Sequence, residues 1–280
     1  MDIKKIYLVY FSPGGNTEKV VKLIGTKLAG ELDAEAYAID FTSPEMRNAQ
    51  YSFDEDALVI FGMPTYAGRV PNKLLAFLQD GFKGNATKAV AVTTFGNRSF
   101  DGSLTELSLE LYKNGFDIFA AASFACQHHF SKVIGTARPD DDDVAEIEKF
   151  ALSIAHWLSK SEAKCIEHRN ILADSEVKPY YIPLGEDMQP AKFLKAVPKT
   201  VEELCDGCGV CIKACPVASI SSDYMTITGP CIKCQACIIK CHSGAKYFDD
   251  EAFLSHVRML ETNYTKRAAN FALIEKTAEV

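Results

Sequence analysis

Eight of the ten cysteines lie in two short runs that share one internal spacing. The runs read CDGCGVCIKACP from residue 205 and CIKCQACIIKCH from residue 231, and each spaces its cysteines C-x2-C-x2-C-x3-C. A pattern that returns after 26 residues predicts a small domain with internal pseudo-twofold symmetry. The repeat constrains the fold more than any other feature, because thiols at this spacing converge on a common ligand.

The spacing favours iron–sulfur clusters over other uses of cysteine. Three closely spaced thiolates reach three corners of one cubane only if the chain curls around it, so the fourth cysteine points to the other cluster. The ligands of one [4Fe-4S] cluster are then Cys205, Cys208, Cys211 and Cys241, and those of the second are Cys215, Cys231, Cys234 and Cys237. Zinc sites usually pair two C-x2-C units, and disulfide scaffolds belong to secreted chains, so both are less favoured. Outside the runs, Cys126 and Cys165 are expected to be structural thiols.

The composition is that of an ordinary globular protein, with 48% hydrophobic and 24% charged residues. The net charge of -7 and the lack of an obvious basic patch argue against a nucleic-acid partner. The N-terminus runs directly into a strand-like segment, and no apolar stretch approaches the length of a membrane span. We therefore expect a cytoplasmic protein that binds neither nucleic acid nor a membrane.

Residues 3 to about 160 alternate short apolar runs with amphipathic helical patterns. Five runs are predicted strands, at 6–11, 34–40, 57–63, 88–95 and 117–126. Four of them are apolar on both faces, which is typical of parallel strands buried between two layers. The alternation of strand and helix predicts a doubly wound parallel sheet.

Helical patterns separate the predicted strands. Leu104, Leu107 and Leu111 share one face, and Ser103 with Glu106 is predicted to form a capping box. The next helix presents Val144, Ile147, Ala151, Ile154 and Leu158 on one face. The acidic run at 139–143 is interpreted as a solvated loop that leads into a helix N-terminus, where acids are favoured.

Three polar loops follow successive strands of the predicted sheet. They read SPGGNT at 12–17, PTYAGRVP at 64–71 and TTFGNRSFDG at 93–102. Open parallel sheets bind ligands beyond the carboxyl ends of their strands. The first loop opens a helix, so its backbone N–H groups, with the hydroxyls of Ser12 and Thr17 and the amide of Asn16, suit an anion.

By these loops, residues 3 to about 160 resemble flavodoxins. The resemblance implies that Ser12, Gly14, Gly15, Asn16 and Thr17 hold the phosphate of FMN and that residues 64–69 and 94–98 meet the edges of the isoalloxazine ring. The expected flavin contacts are Ser12, Pro13, Gly14, Gly15, Asn16, Thr17, Pro64, Thr65, Tyr66, Ala67, Gly68, Arg69, Thr94, Phe95, Gly96, Asn97 and Arg98. The chain departs from the family pattern at Gly14, where a hydroxyl residue is usual. It also lacks the stacking tryptophan, since Trp157 lies in the last helix, so Tyr66 or Phe95 has to cover the ring.

Residues 201–249 resemble the bacterial two-[4Fe-4S] ferredoxins, with His242 standing where a second proline is common; we expect a local surface role for His242. The whole chain resembles the flavodoxin–ferredoxin fusions called ferrodoxins. The expected architecture is α/β, a five-stranded doubly wound sheet with a second, small α+β domain. It comprises a flavodoxin-like FMN-binding domain at 1–160, a linker draped over one domain at 161–200, the cluster domain at 201–249, and a closing helix and tail at 250–280.

The resemblance implies an electron carrier that relays electrons between two [4Fe-4S] clusters and FMN and exchanges them with protein redox partners. An alternative is an FMN-dependent oxidoreductase that reduces a quinone, a nitro compound or dioxygen. A third is a docking module whose flavodoxin-like half is empty. No G-x-G-x-x-G motif follows a strand, so direct oxidation of NAD(P)H is not indicated. The sequence does not identify the partners, the direction of electron flow or the oligomeric state.

Two pairs of charged or titratable side chains lie at the proposed ring. Arg69 and Arg98 are hypothesised to raise the flavin potential, since positive charge stabilises the reduced anion. His128 and His129 follow the last predicted strand and are interpreted as an exposed loop pair, with proton donation to the flavin as the alternative.

Overall fold

The computed structural model describes residues 3–160 and 170–275. Cys165 and part of the predicted linker therefore lie outside the described residues. The first 160 residues contain β1 (Lys5–Tyr10), α1 (Asn16–Leu32), β2 (Glu35–Asp40), β3 (Tyr51–Phe53), β4 (Ala57–Pro64), α2 (Leu75–Asp80), β5 (Phe82–Gly84), β6 (Thr87–Phe95), α3 (Ser103–Lys113), β7 (Phe116–Ala125) and α4 (Asp141–Ser159). The rest contains β8 (Lys199–Thr200), α5 (Val210–Ala214), α6 (Ala236–Ile239), β9 (Lys246–Tyr247), α7 (Glu251–Asn263) and β10 (Phe271–Ile274).

The central sheet has the order β10-β7-β6-β4-β1-β2. The strands from β7 to β2 run parallel, and β10 is antiparallel to β7. Counted along the chain, these five parallel strands have the spatial order 2-1-3-4-5, which is the flavodoxin-like doubly wound order. The predicted α/β sheet and its five strands are confirmed.

A sixth strand, β10, was not predicted. It comes from the last segment of the chain, where only a tail was expected, and pairs Phe271 with Ser123 and Ile274 with Ala120. Four partly exposed residues at a sheet edge show no alternation strong enough to mark a strand. The side chain of Asn270 accepts a hydrogen bond from the backbone N–H of Ala125 at 2.9 Å. The chain therefore returns to its first domain after completing the second.

Two hydrophobic cores lie on opposite faces of the sheet. Val20, Ile24 and Leu28 of α1 pack with Ile147 and Ile154 of α4 on one face. On the other face, Leu104, Leu107 and Leu111 of α3 pack with Leu78 of α2. Burial on both faces explains why the central strands are apolar throughout rather than alternating.

The predicted capping box of α3 is wrong. Helix α3 begins at Ser103 after Gly102, and the Ser103 hydroxyl donates to the carbonyl of Phe100 at 2.9 Å. The Glu106 carboxylate instead accepts the backbone N–H of Val70 at 2.9 Å and the Nε–H of Arg69 at 2.8 Å. A buried carboxylate needs such donors, so Glu106 pairs with the loop residue Arg69 instead of capping α3.

A capping box does form at α4, where Asp140 and Asp143 bond reciprocally to each other's backbone N–H. The acidic run was interpreted as a solvated loop, and this is wrong for Asp143, which is fully buried. Its carboxylate pairs with Arg138, whose Nε lies 2.9 Å from Oδ2, and accepts the amide of Asn270 at 2.9 Å. The run thus fixes the start of α4 and anchors the segment before β10.

The second domain is small and internally repeated. Strands β8 and β9 pair antiparallel, and the short helices α5 and α6 each begin one residue after a backbone in the left-handed conformation, at Gly209 and Gln235. Cys211, Ile220 and Cys237 form its core. The two halves therefore repeat in structure as they do in sequence.

The described part of the linker, 170–198, lies against the first domain. The backbone N–H of Ile171 donates to Ile118 in β7 at 2.9 Å, and that of Tyr181 donates to Ala67 at 2.8 Å. These bonds carry the linker from the amino end of β7 to the loop at the carboxyl end of β4. Over the described residues, no helix is long and apolar enough to cross a membrane.

Candidate functional site

A cavity of about 640 Å³ lies at the carboxyl ends of β1, β4, β6 and β7. This is where a doubly wound sheet binds its ligand, and the volume is typical of a cofactor site. The three loops at 12–17, 64–68 and 94–99 form one side of the cavity. Residues 126–130, which follow β7, add a fourth loop.

The first loop leaves the N-terminus of α1 facing the cavity. Gly15 precedes the helix in the left-handed conformation and provides no side-chain cap. The Ser12 hydroxyl accepts the backbone N–H of Glu18 at 3.0 Å, and the Thr17 hydroxyl lies 2.8 Å from that of Thr94. A rigid loop at the positive end of a 17-residue helix suits an anionic group.

The fourth loop holds the Asn16 side chain. Its Nδ2 donates to the carbonyl of Gln127 at 3.0 Å and lies 3.1 Å from Nε2 of His129. Both amide hydrogens are therefore engaged by the fourth loop, and the predicted donation to a phosphate is left to backbone N–H groups. His129 also makes a hydrogen bond to the backbone of Cys234, so it connects the first loop to the second cysteine run.

The interpretation of His128 and His129 as an exposed pair is wrong. Both are partly buried and line the cavity, and burial lowers the pKa of His128 to about 3 and that of His129 below its usual value. Two glycines make room for them. A Cβ on Gly14 would lie 1.9 Å from the His129 ring, and one on Gly96 would lie 2.3 Å from the His128 ring. The missing hydroxyl at Gly14 is thus explained by the histidine that packs there.

The second and third loops form the opposite end of the cavity. Tyr66 and Arg69 exchange backbone hydrogen bonds across a tight turn, and the backbone N–H of Thr65 donates to Thr94 at 2.7 Å. Tyr66 is partly buried, and its pKa is raised well above the usual value, mainly by burial and also by the nearby sulfurs of Cys231 and Cys234. Both predicted aromatic residues, Tyr66 and Phe95, line the cavity.

The two arginines differ. Arg69 is paired with Glu106 and its guanidinium lies 4.8 Å from the centroid of the Tyr180 ring, outside the cavity lining. Arg98 lines the cavity and is paired with Asp101, and its guanidinium lies 3.8 Å from the centroid of the Tyr181 ring. Of the two arginines, it is therefore Arg98 that remains a candidate for a direct electrostatic effect on a bound ring.

Most of the expected flavin contacts lie in the cavity wall. They are Ser12, Pro13, Gly14, Asn16, Thr17, Pro64, Thr65, Tyr66, Ala67, Gly68, Thr94, Phe95, Gly96 and Arg98. Gly15, Arg69 and Asn97 do not line it. The Asn97 amide instead donates to the carbonyls of Tyr264 and Lys266, at 2.8 and 2.9 Å, and so holds the segment before β10.

The linker supplies a wall that the sequence analysis missed. Its contributors are Tyr180, Tyr181, Pro183, Phe193 and Leu194. The hydroxyl of Tyr181 is buried and has a hydrogen bond to the backbone of Leu184. Only the aromatic pair YY in an otherwise irregular segment hinted at this wall.

The cysteines separate into two groups. Cys215, Cys231, Cys234 and Cys237 line one small cavity, which we call the proximal site. Burial raises the pKa of the Cys234 and Cys237 thiols to about 12. Four cysteines around one small cavity are a donor set that suits an iron–sulfur cluster.

We give the name distal site to the remaining cysteines of the runs, which are Cys205, Cys208, Cys211 and Cys241. Cys205 lies near enough to Cys211 to raise its pKa, although burial has the larger effect. Cys208 is exposed, and its sulfur lies within 4.8 Å of ligand atoms of Asp206 and His242. His242 Nε2 lies 2.8 Å from Oδ2 of Asp206, in keeping with its expected surface role. The distal site is thus the more solvent-accessible of the two.

Comparison with known protein families supports the assignment of the second domain. Residues 198–221 match one family described as a 4Fe-4S binding domain, and residues 228–245 match a second family with the same description. The chain joins a flavodoxin-like domain to a 4Fe-4S ferredoxin-type domain. No curated protein is significantly similar in sequence to this chain.

Several solved structures are similar to the flavodoxin-like domain. A flavodoxin from the domain Archaea is 16% identical over 56% of this chain and 99% of its own, with a TM-score of 0.37. Flavodoxin 2 from Bacillus cereus is 18% identical over 55% and 99%, with a TM-score of 0.40. An NADH:FMN oxidoreductase is 19% identical over 60% and 94%, with a TM-score of 0.41. These likenesses are distant, and the fold assignment is based on the strand order.

The two domains share the large cavity. Residues 230–234 of the ferredoxin-type domain lie in its wall, opposite the loops of the flavodoxin-like domain. Cys231 and Cys234 therefore line both the proximal site and the large cavity. The flavodoxin-like fold and the ferredoxin-type motifs together support an iron–sulfur flavoprotein of electron transfer.

Proposed function

We propose that this protein is an electron carrier that holds FMN and two [4Fe-4S] clusters and exchanges electrons with protein redox partners. The observation that carries the proposal is the shared wall, in which Cys231 and Cys234 line the cavity that the flavodoxin-like loops form. When bound, FMN supplies two-electron, two-proton chemistry and each cubane supplies one-electron chemistry. A chain that combines them suits a relay between one- and two-electron reactions.

The residues of the large cavity fit FMN at both ends. The N-terminus of α1, with Ser12 and Thr17 beside it, offers neutral donors and a positive dipole to a phosphate. At the other end Tyr66 and Tyr181 offer aromatic surface to the ring. These features favour an occupied flavodoxin-like half over an empty docking module.

The cavity wall also holds a neutral imidazole that can donate a hydrogen bond to a ligand. The Nδ1 of His128 accepts the backbone N–H of Phe130 at 3.1 Å, so the neutral ring carries its proton at Nε2. Burial lowers the pKa of this imidazole to about 3, so His128 is neutral at pH 7. It can then donate one hydrogen bond but carries no second proton. Orientation of a ligand is therefore the role that we assign to it, instead of proton donation.

The distal site is the proposed docking point for a protein partner. Cys208 is exposed there, beside the exposed carboxylates of Glu202, Glu203 and Asp206. The neighbouring Leu204 is 52% exposed, which gives the acidic rim an apolar centre. A partner with a basic face and a small apolar patch fits this surface.

The linker wall favours the carrier over the alternative oxidoreductase. Tyr180, Tyr181 and Phe193 add a wall to the cavity that the flavodoxin-like loops form. A small acceptor needs an open approach to a flavin, whereas a carrier needs only a route for electrons. The proximal site supplies such a route from within the protein.

An anaerobic dithionite titration of the purified protein tests the proposal, with iron and acid-released flavin counted per chain. About eight irons, one FMN and redox signals from both kinds of centre are expected. Eight irons without flavin, even after reconstitution with FMN, would contradict it and leave the empty docking module. Fast multiple turnover with a quinone would instead support the oxidoreductase.

A further inference from the structure

The two cysteine runs differ at two backbone positions that need a left-handed conformation. In the first run these positions are Gly207 and Gly209, with φ of 72° and 71°. In the second run they are Lys233 and Gln235, with φ of 57° and 64°. Glycine adopts this conformation freely, whereas a residue with a Cβ is strained there. The second run therefore bears strain in order to present two side chains.

Gln235 presents its side chain to the proximal site. The residue is only 5% exposed and lines the small cavity together with the four proximal cysteines. Its Nε2 is buried and has no hydrogen-bond partner among the described residues. A buried amide without a partner is costly, so such a donor at a binding site points to the ligand that the site takes.

We propose that the Gln235 amide donates a hydrogen bond to a sulfur atom of the proximal cluster and raises the potential of that cluster above that of the distal one. The inference rests on the proposed function, since it requires a cluster in the proximal site. Reduction adds negative charge to the cluster, and a donor aimed at its sulfur stabilises the reduced form.

Gln235 adds to donors that the backbone already supplies. The N–H of Ser219 lies 3.3 Å from Sγ of Cys215, and that of Lys233 lies 3.4 Å from Sγ of Cys231. At the distal site, the equivalent position is Gly209, which has no side chain to donate. The asymmetry favours electrons residing at the proximal site, beside the large cavity.

Two variants of the full-length holoprotein test the inference. Gln235→Met keeps most of the side-chain volume and removes the donor, and Gln235→Gly reproduces the first run and relieves the backbone strain. Anaerobic potentiometric titrations are followed by EPR and by paramagnetically shifted NMR signals of the cysteine β-protons, which separate the clusters. The distal cluster in each sample is the internal control.

In both variants, the ratio of reduced to oxidised proximal cluster at fixed potential should fall at least tenfold, which corresponds to 59 mV for a one-electron couple. The distal potential should stay unchanged. An unchanged proximal potential, an equal shift of both clusters, or loss of the proximal iron from both variants would overturn the inference. Wild-type protein without iron in the proximal site would instead defeat the proposed function, and its iron count is measured before any variant is compared.

Discussion

The two cysteine runs have the same spacing and different surroundings. The first run lies at the surface, with Cys208 exposed among acidic side chains, while the second run lies against the cavity of the flavodoxin-like domain. The cysteine spacing determines which thiols can converge. The residues between the cysteines determine what the bound group experiences and which surface it faces.

The left-handed positions illustrate this division. A residue with a Cβ costs about 1–2 kcal/mol in that conformation, and Lys233 and Gln235 both bear this cost. The Lys233 ammonium donates to the carbonyl of Leu194 at 2.9 Å and so connects the second run to the linker wall. In the first run, Gly207 and Gly209 adopt the same left-handed conformation without strain. The second run therefore differs from the first by backbone strain at the two residues whose side chains it presents.

The largest difference between the runs is expected from cysteine removal. Cys208→Ala and Cys234→Ala should each remove one cluster, or about four irons per chain. Only Cys234→Ala should also alter the absorbance and retention of bound flavin, because Cys234 lines the large cavity and Cys208 does not. Iron and flavin analysis with visible spectra checks this. Equal flavin loss in both variants would break the proposed asymmetry.

A methyl group at Gly14 should weaken flavin binding at least tenfold, because its Cβ meets the His129 ring at 1.9 Å and the ring then has to move into the cavity. The matched control is Gly30→Ala in α1, the helix that follows this loop, where a Cβ meets nothing within 4 Å. That control should stabilise the protein by about 0.5–1 kcal/mol and leave flavin affinity unchanged. Flavin titration by fluorescence measures both. Similar affinities in the two variants would show that the His129 contact is unimportant.

Acid should lower the free energy of unfolding of the protein because His128 in the cavity wall takes up a proton on unfolding. The pKa of His128 is about 3 in the folded protein, whereas the unfolded chain takes up this proton near pH 6.5. The stability that neutral His128 provides is thus full above about pH 6.5 and is lost as the pH falls toward 3. Since His128 is only partly buried, we expect a loss on the order of 1–2 kcal/mol between pH 7 and pH 5.

His128→Gln should remove this part of the pH dependence, and His242→Gln at the distal site should not. Urea unfolding of each variant at the two pH values measures the difference. Identical pH slopes for wild type and His128→Gln would mean that the imidazole is solvated when folded.

The smallest expected effect is on docking. Joint replacement of Glu202 and Glu203 by Gln should slow association with a basic one-electron carrier severalfold at low salt, and less at high salt. Replacement of Lys192 and Lys195, which are exposed beside the linker wall, should not slow it. Association rates at several ionic strengths test the choice of face. A larger effect from the lysine pair would move the docking point to the cavity side.

Much of this arrangement was predictable from local patterns. The apolar runs predicted the five parallel strands, and the loops after them predicted most of the cavity lining, because strand ends converge in a doubly wound sheet. The cysteine spacing predicted the proximal group that lines one small cavity. Each of these features depends on residues close together in sequence or on a regular sheet.

The rest depends on contacts between distant segments. Glu106 was assigned to a cap, but Arg69, which is remote in sequence, occupies its carboxylate. Strand β10 and the Asn97 contacts arise because the last segment crosses back to the first domain. The linker wall and the fit of His129 against Gly14 have no signal in spacing or periodicity.

Stopped-flow reduction of the flavin by the methyl viologen radical cation tests the central claim most directly. The reductant is cationic and is expected to react at the acidic distal face. Flavin reduction should be at least tenfold slower in both Cys208→Ala and Cys234→Ala than in the wild-type protein, each compared at full flavin occupancy. Equal rates in all three proteins would contradict the account, because the flavin would then receive its electrons without either cluster.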